Sequence, residues 1–600
     1  MQLLLRSVQL WCILLLGDLL ALRGYAQAPA WETALVLATQ GIPGANPPNN
    51  SVIVRATAPD GQGNLYVAGS FTNTATFGAT TLVSTPVAAN QSTNYSADLF
   101  VAKWSLSANR YLWAIRASSA GTEAVSQLVV SGTSVYLAGT TYRQSYQPSG
   151  LQFGTETSTL PTTVGHNIFV AKLLDAGTSA NWKWSKIGNC EYLANVAGLG
   201  VSGTAVYLAG DVAGTMTFDD KSVKSIQTQA YNAPDLLLVK FTDAGTSALV
   251  NWVQLTGSPT YEYANAFAVN GTSLYLGASY TNSSTIGTIS MPNTGPNSTS
   301  DGFVTKFTDR GTAAAIVWTQ HIGSTGGDLV SNLVADGSAL YVAGSFNGPS
   351  LGLGIPVTAT LTNQDAGANT ADLFLAKLID AGTSSNFAWA QQVGGAGSEY
   401  VDHLLRTGST FYLAGTFHGA TATLGRTVLT NTTAAGGQDD LYVARLEETS
   451  TGATVTWAQQ AGSVATDNVN SLHLVNNRLY LAGYVEEAAI FGTLTAPAAS
   501  SYLAILSPNA PLAATTFTTL PGLVVYPNPA HSSIIVQLPA AVSGSGPMRL
   551  TLRDALGRVA ATHTVTGVTQ EVDLSSLPNG VYLLQVQVGD ARTTRRLIVN

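Results

Sequence analysis

Leu65-Tyr66-Val67-Ala68-Gly69, the pentapeptide LYVAG, decides the fold because close copies of it recur along the 600-residue chain. The six further copies are Val135–Gly139, Val206–Gly210, Leu274–Ala278, Leu340–Gly344, Phe411–Gly415 and Leu479–Gly483. Their first residues lie 66 to 71 positions apart, so one unit has been duplicated with its length preserved. Such a repeat indicates the architecture before any local pattern is considered, and it says more about fold than about chemistry.

Each unit contains four predicted strands, of which LYVAG is the second. An alternating apolar stretch and a tight turn precede it, as in Val125–Val130 and Ser131-Gly132, and together predict a hairpin. A longer Thr- and Gly-rich connection follows, and it holds an apolar residue before a small one, as in Phe77-Gly78, which we interpret as a buried plug. The third strand runs from a polar to a basic residue, as in Asp98–Lys103, and the fourth carries a tryptophan. Seven such units predict an all-β fold, a seven-bladed β-propeller.

The two ends of the repeat array complement each other. Trp31–Thr39 is a tryptophan strand that stands alone near the amino terminus, whereas the last unit, ending in Ser501–Leu506, lacks its fourth strand. Pairing of these segments closes the ring and leaves no exposed sheet edge there. Residues 31–506 resemble the β-propeller repeat family of exported bacterial proteins, whose units pair a D-x-F-V-A-K strand with a Y-V-A-G strand. That resemblance implies a seven-bladed fold and, by itself, no activity.

The first 26 residues have the pattern of a secretory signal peptide. Arg6 is basic, an apolar run extends to Leu22, and Gly24-Tyr25-Ala26 precedes the expected cleavage. No later stretch has the ~18 to 20 apolar residues of a transmembrane helix, so we expect an exported mature chain without a transmembrane segment. Cys12 leaves with the signal peptide, and Cys190 then has no partner for an internal disulfide.

The balance of charge argues against nucleic acid as a partner. Between the predicted signal peptide and residue 521, the chain holds 18 Lys and Arg against 29 Asp and Glu. An acidic surface of this kind repels phosphate groups. The same surface can attract cations or basic partners, although a diffuse acidic surface also serves solubility alone.

The tail differs from the repeats. Residues 508–522 form a linker rich in Pro, Ala and Thr, and residues 523–600 carry the motifs Y-P-N-P, D-x-x-G-R and G-V-Y in that order. Their residues are Tyr526, Pro527, Asn528, Pro529, Gly557, Arg558, Gly580 and Tyr582. This order resembles the type A carboxy-terminal sorting domain of the type IX secretion system in the Bacteroidetes, which implies recognition by the type IX secretion machinery and a secreted or cell-surface location.

The sequence therefore predicts four segments. They are a signal peptide over 1–26, a propeller over 27–507, a linker over 508–522 and a sorting domain over 523–600. Alternating strands in the last segment predict a small, Ig-like antiparallel β-sandwich.

A carboxylate recurs where the first strand of most units begins. Five acids lie 12 residues before the second-strand copy and one lies 15 before it: Glu123, Glu262, Asp328, Glu399 and Asp467, with Glu191 at the longer spacing. If these side chains lie near the axis, they form an acidic rim that binds a cation or sugar hydroxyls. Alternatively, each acid accepts backbone hydrogen bonds within its own loop. The sequence assigns no cofactor; calcium is the cation that such a rim could hold, and nothing else in the chain points to it.

A tyrosine follows three of these acids, as Tyr192, Tyr263 and Tyr400. An aromatic ring beside a carboxylate is a common way to hold carbohydrate, whereas a structural tyrosine would pack between units. No catalytic constellation is visible, because the seven histidines lack metal-ligand spacing and the chain has no G-x-S-x-G motif. The sequence therefore assigns no catalytic residue and favours a protein without enzymatic activity.

Three functions stay open at this point. The leading hypothesis is a secreted or cell-surface β-propeller that binds an extracellular glycan or protein through the face with the long second-to-third connections. The first alternative is a polysaccharide-acting hydrolase or lyase that uses the same face. The second alternative is a purely structural surface protein.

Overall fold

The structure is a computed structural model that describes residues 28–38, 51–85, 97–119, 121–142, 150–159, 166–226, 233–296, 299–365, 370–395, 397–433, 437–508, 522–538, 547–554, 559–588 and 591–600. The predicted signal peptide lies outside the described residues. The chain divides into two compact units, Met1–Asn509 and Ala510–Asn600. All the secondary-structure elements assigned in the described part of the chain are strands, which confirms the all-β prediction.

The strands of the first unit recur in groups of six, each containing two long strands, a short pair and two further long strands. In chain order they are β1 (Trp31–Ala38); β2 (Val52–Pro59), β3 (Asn64–Phe71), β4 (Thr74–Phe77), β5 (Thr80–Val83), β6 (Asp98–Ser105), β7 (Arg110–Ser118); β8 (Thr122–Ser131), β9 (Ser134–Tyr142), β10 (Gly150–Phe153), β11 (Glu156–Thr159), β12 (His166–Asp175), β13 (Ala180–Cys190); β14 (Leu193–Ser202), β15 (Ala205–Ala213), β16 (Thr215–Phe218), β17 (Lys221–Lys224), β18 (Asp235–Asp243), β19 (Ala248–Thr256); β20 (Glu262–Asn270), β21 (Ser273–Thr281), β22 (Ser284–Ile286), β23 (Ile289–Met291), β24 (Ser300–Asp309), β25 (Ala314–Gly323); β26 (Asp328–Asp336), β27 (Ala339–Phe346), β28 (Ser350–Leu353), β29 (Ala359–Thr362), β30 (Asp372–Asp380), β31 (Ser385–Gln392); β32 (Ser398–Thr407), β33 (Thr410–His418), β34 (Thr421–Leu424), β35 (Thr427–Thr430), β36 (Asp440–Thr449), β37 (Gly452–Ala461); β38 (Asp467–Val475), β39 (Arg478–Val485), β40 (Ala489–Phe491), β41 (Leu494–Ala496) and β42 (Ser500–Leu506).

The long strands form antiparallel sheets of four, here numbered 1 to 7. Their strand orders are β2-β3-β6-β7, β8-β9-β12-β13, β14-β15-β18-β19, β20-β21-β24-β25, β26-β27-β30-β31, β32-β33-β36-β37 and β38-β39-β42-β1. Tight turns join the first two strands, and Gly132 between β8 and β9 adopts a φ of 61°, the conformation that favours glycine in such hairpins. The LYVAG copy forms the second strand, and Tyr66, Val67 and Ala68 are fully buried because both faces of the sheet are packed.

Sheet 7 takes its fourth strand from the amino-terminal end of the described chain. β1 pairs antiparallel with β42, and Trp31 lies opposite Leu506, which confirms the pairing predicted for the solitary tryptophan strand. The Trp31 ring packs edge-on against Phe491 at a centroid distance of 5.1 Å, and its indole N–H donates to the Gln460 carbonyl at 3.1 Å. First strands of consecutive sheets contact one another, and β2 of sheet 1 also contacts β38 of sheet 7. The contacts between first strands therefore return from the last sheet to the first.

Each second-to-third connection contains a short hairpin that the sequence pattern did not predict. Phe153 at the end of β10 is fully buried, and Gly154 after it has a φ of 65°. β10 also pairs with β7, the outer strand of the preceding sheet, so this hairpin joins two sheets and covers an edge strand. The plugs predicted from sequence are confirmed as buried side chains: Phe77, Phe153, Phe218, Ile286, Leu424 and Phe491.

A buried carboxylate holds each of five consecutive sheet pairs together. Asp175 at the end of β12 accepts hydrogen bonds from three side chains of sheet 1: Lys103 Nζ at 2.6 Å, Tyr66 OH at 2.7 Å and Trp113 Nε1 at 3.0 Å. We call this arrangement the latch. Burial alone raises the pKa of Asp175, but the donors around it hold that pKa below its usual value. The same place in later sheets is taken by Asp243, Asp309, Asp380 and Glu448.

The Asp243→Ala variant tests the latch. It leaves the Lys172 ammonium buried without its carboxylate, and Tyr136 and Trp184 lose their acceptor, so we expect a loss of about 3–5 kcal/mol in stability. The melting temperature from calorimetry measures it. Asp220→Ala, at a largely exposed acid, is the matched control and leaves the melting temperature unchanged. Adding Lys172→Met to Asp243→Ala recovers part of the loss; a single variant as stable as the control contradicts the latch.

The second unit contains two antiparallel sheets. Its strands are β43 (Val524–Tyr526), β44 (Ser533–Gln537), β45 (Met548–Arg553), β46 (Val559–Val565), β47 (Thr569–Asp573), β48 (Gly580–Val588) and β49 (Ala591–Val599). The strand orders are β43-β44-β47 and β46-β45-β48-β49. Alternate residues of both sheets, among them Ile534, Val536, Leu550 and Leu584, pack into one apolar core.

Candidate functional site

Five of the six predicted rim acids lie at or next to the start of a first strand and are fully buried. They are Glu123, Glu262, Asp328, Glu399 and Asp467. Each lies in the same register, opposite the residue six positions after the start of the LYVAG copy; Glu262, for example, lies opposite Tyr280. Strand alternation therefore directs all five side chains into the protein rather than towards solvent.

The buried acids accept hydrogen bonds from the loop that leads into their own strand. The donor is the residue four positions earlier. Ser324 Oγ donates to Asp328 Oδ1 at 2.7 Å, and the Ser463 N–H donates to Asp467 Oδ2 at 2.6 Å. The hydroxyl groups of Ser119 and Ser258 donate to Glu123 and Glu262 in the same way. Local acceptance of this kind is a structural role, and it organises the loops at one end of the sheets.

Burial raises the pKa of these carboxyl groups well above the usual range. The pKa of Glu123 rises to about 8, that of Asp328 to about 8 and that of Glu399 to about 9. Desolvation is the largest cause in each case, and a second carboxylate from the preceding sheet adds to it. Groups of this kind are poor ligands for an external molecule, because no solvent reaches them.

Glu191 lies in a different place from the five buried acids. β13 ends at Cys190 and β14 begins at Leu193, so Glu191 lies in the exposed turn between them. Ala194 occupies the register that the five buried acids share. The Glu191 carboxylate instead accepts hydrogen bonds from the Thr215 N–H at 3.0 Å and from the Thr215 hydroxyl at 2.9 Å. Its hydrogen bonds with Tyr192 and Thr215 lower the pKa of Glu191. The spacing of 15 rather than 12 residues was the signal that it differs.

The three predicted tyrosines are all exposed, at 44% for Tyr192 and 37% for Tyr263 and Tyr400. Tyr263 and Tyr400 directly follow a buried acid, so strand alternation turns them outwards. Tyr192 lies in the turn with Glu191. Tyr263 also stacks with Tyr261 at a centroid distance of 6.3 Å and an interplanar angle of 21°.

The register of Tyr263 and Tyr400 defines a row of side chains, the tyrosine row, that passes from one first strand to the next. Its members are Ile53, Ala124, Asn195, Tyr263, Leu329, Tyr400 and Asn468. Five of them are exposed, and Ile53 and Ala124 are half-buried. Unlike the acids, this row presents apolar, aromatic and amide groups to solvent.

Two residues beyond the tyrosine row, every first strand contains a β-bulge. The bulged residues form a second row, the bulge row: Arg55, Ser126, Ala197, Asn265, Ser331, Asp402 and Asn470. A bulge re-aims a side chain, and bulges are common beside binding and active sites. Asp402 is solvent-exposed, yet surrounding protein and the neighbouring Asp439 raise its pKa to about 7. Asp402 is not among the candidates predicted from sequence, although it lies two residues after Tyr400 and therefore on the same face of the strand by alternation.

The six predicted acids do not gather into one cluster. Within the described ranges, no three His, Cys, Asp or Glu side chains lie together in a way that could hold a metal ion. Five acids are instead distributed one to a sheet, each beside its own loop. A cation bound on the axis by several of them has no support in this geometry.

The sorting motif lies in the second unit. Asn528 joins the Y-P-N-P segment to β49, because its side-chain amide donates to the Arg596 carbonyl at 2.8 Å and its oxygen accepts the Ile598 N–H at 2.9 Å. Gly580 begins β48, and the Tyr582 hydroxyl donates to the Pro578 carbonyl at 2.8 Å. Gly557 and Arg558 lie outside the described residues.

A comparison with protein families matches residues 524–600 to the family described as "Secretion system C-terminal sorting domain". The chain thus ends in a type IX secretion sorting domain, and the protein is exported through that system to the cell surface or beyond it. No described segment forms a helix that is long and apolar enough to span a bilayer.

Similar solved structures have low identity to this chain. An acylaminoacyl peptidase from Pyrococcus horikoshii is 9% identical, with a TM-score of 0.36, over 81% of this chain and 57% of its own. PorZ, a surface component of the type IX secretion system of Porphyromonas gingivalis, is 9% identical, with a TM-score of 0.24, over 91% and 81%. A family 43 arabinoxylan arabinofuranohydrolase from Bacillus subtilis is 11% identical, with a TM-score of 0.22, over 67% and 93%. No curated protein matches the chain. Likenesses this weak carry no argument about activity.

Two alanine variants separate the buried acids from the exposed one. Glu262→Ala removes the acceptor of Ser258, Thr260 and Ser284, so we expect a loss of about 1–3 kcal/mol in stability. Glu191→Ala changes a fully exposed side chain and leaves the melting temperature unchanged. Thermal unfolding of both variants at pH 6 measures the difference. Equal melting temperatures would show that burial of Glu262 contributes nothing.

Proposed function

We propose that the first unit is a seven-bladed β-propeller that binds an extracellular glycan through the tyrosine row and the bulge row. The observation that carries this proposal is the exposure of Tyr263 and Tyr400 at equivalent positions of two first strands. In a propeller, the first strands surround the axis, so both rows line the central opening on the face with the long connections. The seven cyclic sheet contacts support this arrangement.

The chemistry of the two rows suits a neutral sugar. Aromatic faces pack against the apolar faces of sugar rings, while Asn468, Asn265 and Asp402 offer hydrogen-bonding groups for hydroxyls. The excess of 29 acidic over 18 basic residues in this part of the chain disfavours a polyanion. A neutral or cationic polymer outside the cell is therefore the proposed ligand class.

Export is tested by removing residues 523–600. Since the sorting domain is the part that the type IX machinery recognises, the shortened protein should accumulate in the periplasm of the producing bacterium. Fractionation and immunoblotting measure its location. The control is an unrelated periplasmic reporter fused to residues 523–600, which should reach the cell surface or medium. Normal export of the shortened chain contradicts the role of this domain.

Ligand binding is tested on an array of neutral polysaccharides with the purified mature protein. Tyr263→Ala and Tyr400→Ala should each weaken binding about tenfold, the change that corresponds to 1.4 kcal/mol, because each removes one stacking face. The matched control is Val428→Ala, an exposed side chain on the outer hairpin β34–β35.

The same array separates the competing functions. Cleavage of a polysaccharide by the wild-type protein favours a hydrolase or lyase over a binding protein. Absence of binding to every polysaccharide favours a structural surface protein. Binding that survives both tyrosine substitutions rejects the tyrosine row as the site.

A further inference from the structure

The buried first-strand acids each face a second buried carboxyl group from the preceding sheet. The partner is the aspartate that opens the third strand: Asp98 with Glu123, Asp235 with Glu262, Asp301 with Asp328, Asp372 with Glu399 and Asp440 with Asp467. Both members of each pair are at most 1% exposed. Backbone bonds hold the two strands together at this point, since the Glu262 N–H donates to the Pro234 carbonyl at 3.1 Å.

Each pair contains carboxyl oxygens that no protein donor reaches. One oxygen of every third-strand aspartate, Oδ1, is buried without a hydrogen-bond partner. At three interfaces an oxygen of the opposing acid is also unpartnered: Glu123 Oε2, Glu399 Oε1 and Asp467 Oδ1. Two buried, ionised carboxylates with unpartnered oxygens repel each other at high cost, so something must lie between them.

The two remaining interfaces show that the paired acids depend on each other. Where the first strand has Ala194 in place of the acid, the third strand of the preceding sheet has Asn167 in place of the aspartate. Where the first strand has Val52, the preceding third strand has Ser500. Asn167 Oδ1 accepts the Cys190 N–H, while its Nδ2 is buried without a partner, and Ser500 Oγ donates to the Pro497 carbonyl. Both acids are present together or absent together within one chain.

A proton fits the space between the carboxyl groups better than a metal ion does. Each interface offers two carboxyl groups, whereas calcium takes six to eight oxygen ligands. Glycine backbone also lies against the unpartnered oxygens and leaves little room for an ion beside them: a Cβ added at Gly257 would lie 2.3 Å from Asp235 Oδ1, and one added at Gly462 would lie 2.2 Å from Asp440 Oδ1. A hydrogen bond between a protonated and an ionised carboxyl group needs no further ligand and no extra volume.

We infer that every pair except that of Asp301 and Asp328 keeps one proton at neutral pH, shared between its two carboxyl groups, so that folding of the first unit takes up protons and alkaline pH loosens the joints between sheets. The proton belongs to the pair rather than to one residue. The loops that lead into the first strands, and with them the tyrosine row, are attached at these joints.

Other titratable and charged groups face some of the pairs. Arg116 lies 2.6 Å from Asp98, and His321 lies 2.8 Å from Asp301. The remaining neighbours are Tyr280 beside Asp301 and Asp328, Asp365 beside Asp372 and Glu399, Tyr442 beside Glu399, Asp439 beside Asp440, and Glu486 and Tyr502 beside Asp467. At the pair of Asp235 and Glu262, the charge that raises the pKa of Asp235 is that of Glu262 itself. This pair is therefore the one to test.

The direction of the pH effect follows from the raised pKa values. Burial and Glu262 raise the pKa of Asp235 to about 7, and burial raises the pKa of Glu262. In the unfolded chain both groups lose their protons near pH 4. The folded state thus holds more protons between about pH 4 and pH 7, and the free energy of unfolding falls as pH rises through that window.

The experiment compares wild type with Asp235→Asn, using the full mature chain in EDTA from pH 5 to pH 9. An amide cannot ionise and can donate to Glu262. The logarithm of the unfolding constant of the variant should therefore depend less on pH, by about one proton, and the variant should melt above wild type at pH 9. Asp220→Asn, at an exposed acid, is the control and keeps the wild-type slope.

Two further measurements decide the outcome if the variant does not fold. Calorimetry of wild type in buffers of different ionisation enthalpy should show a net release of protons on unfolding at pH 7, and no release overturns the inference. An unchanged slope in a folded Asp235→Asn variant also overturns it. The last measurement adds calcium in the absence of EDTA at pH 9. If calcium raises the melting temperature of wild type but not that of Asp235→Asn, a cation rather than a proton lies between the two carboxyl groups.

Discussion

The latch between consecutive sheets is the contact on which the rest of the first unit depends. A single carboxylate, such as Asp175, receives an ammonium, a phenol and an indole from the preceding sheet, and all of these groups are buried. A buried charge is tolerated only when its partners satisfy it fully. Because the donors come from the second, third and fourth strands of one sheet, the latch fixes the distance and orientation of its neighbour. The recurrence of Tyr and Lys at the same places in the repeat follows from this geometry.

The opposite ends of the strands are joined by a different device. There the sheets meet through pairs of acids such as Asp98 and Glu123, and these carry no full set of donors. Four of the interfaces are thus held at one end by opposite charges and have two groups of the same charge type at the other. Consecutive side chains of a strand point to opposite faces, so the residue after each buried acid faces solvent. A residue that stabilises a loop is therefore followed directly by one that points outwards. Tyr263 follows Glu262 for that reason.

Much of the fold could be predicted because the same pattern of strands and turns occurs seven times in the sequence. The hairpin at Ser131-Gly132, the strand status of LYVAG and the pairing of Trp31 with the last unit all follow from period-two alternation and from counting strands. The hairpins in the second-to-third connections were not predicted, because Thr- and Gly-rich strands of three or four residues give little alternation. The sequence groups Glu191 with the other acids because an acid followed by a tyrosine also occurs at Glu262 and Glu399, whereas the register of β14 puts Ala194 where the acid would stand.

The sequence by itself determined the number of units, the four strands in each, the origin of the closing strand and the sorting domain, because these are properties of local pattern and order along the chain. Only the tertiary structure decided which acids are buried, which residue of the neighbouring sheet each one meets and where bulges interrupt the pairing of the first strands. Those contacts join residues about 25 to 110 positions apart and depend on how two sheets pack. The same dipeptide, an acid before a tyrosine, places a buried acid between two sheets at Glu262 and an exposed acid in a turn at Glu191. The difference lies in burial rather than in residue type.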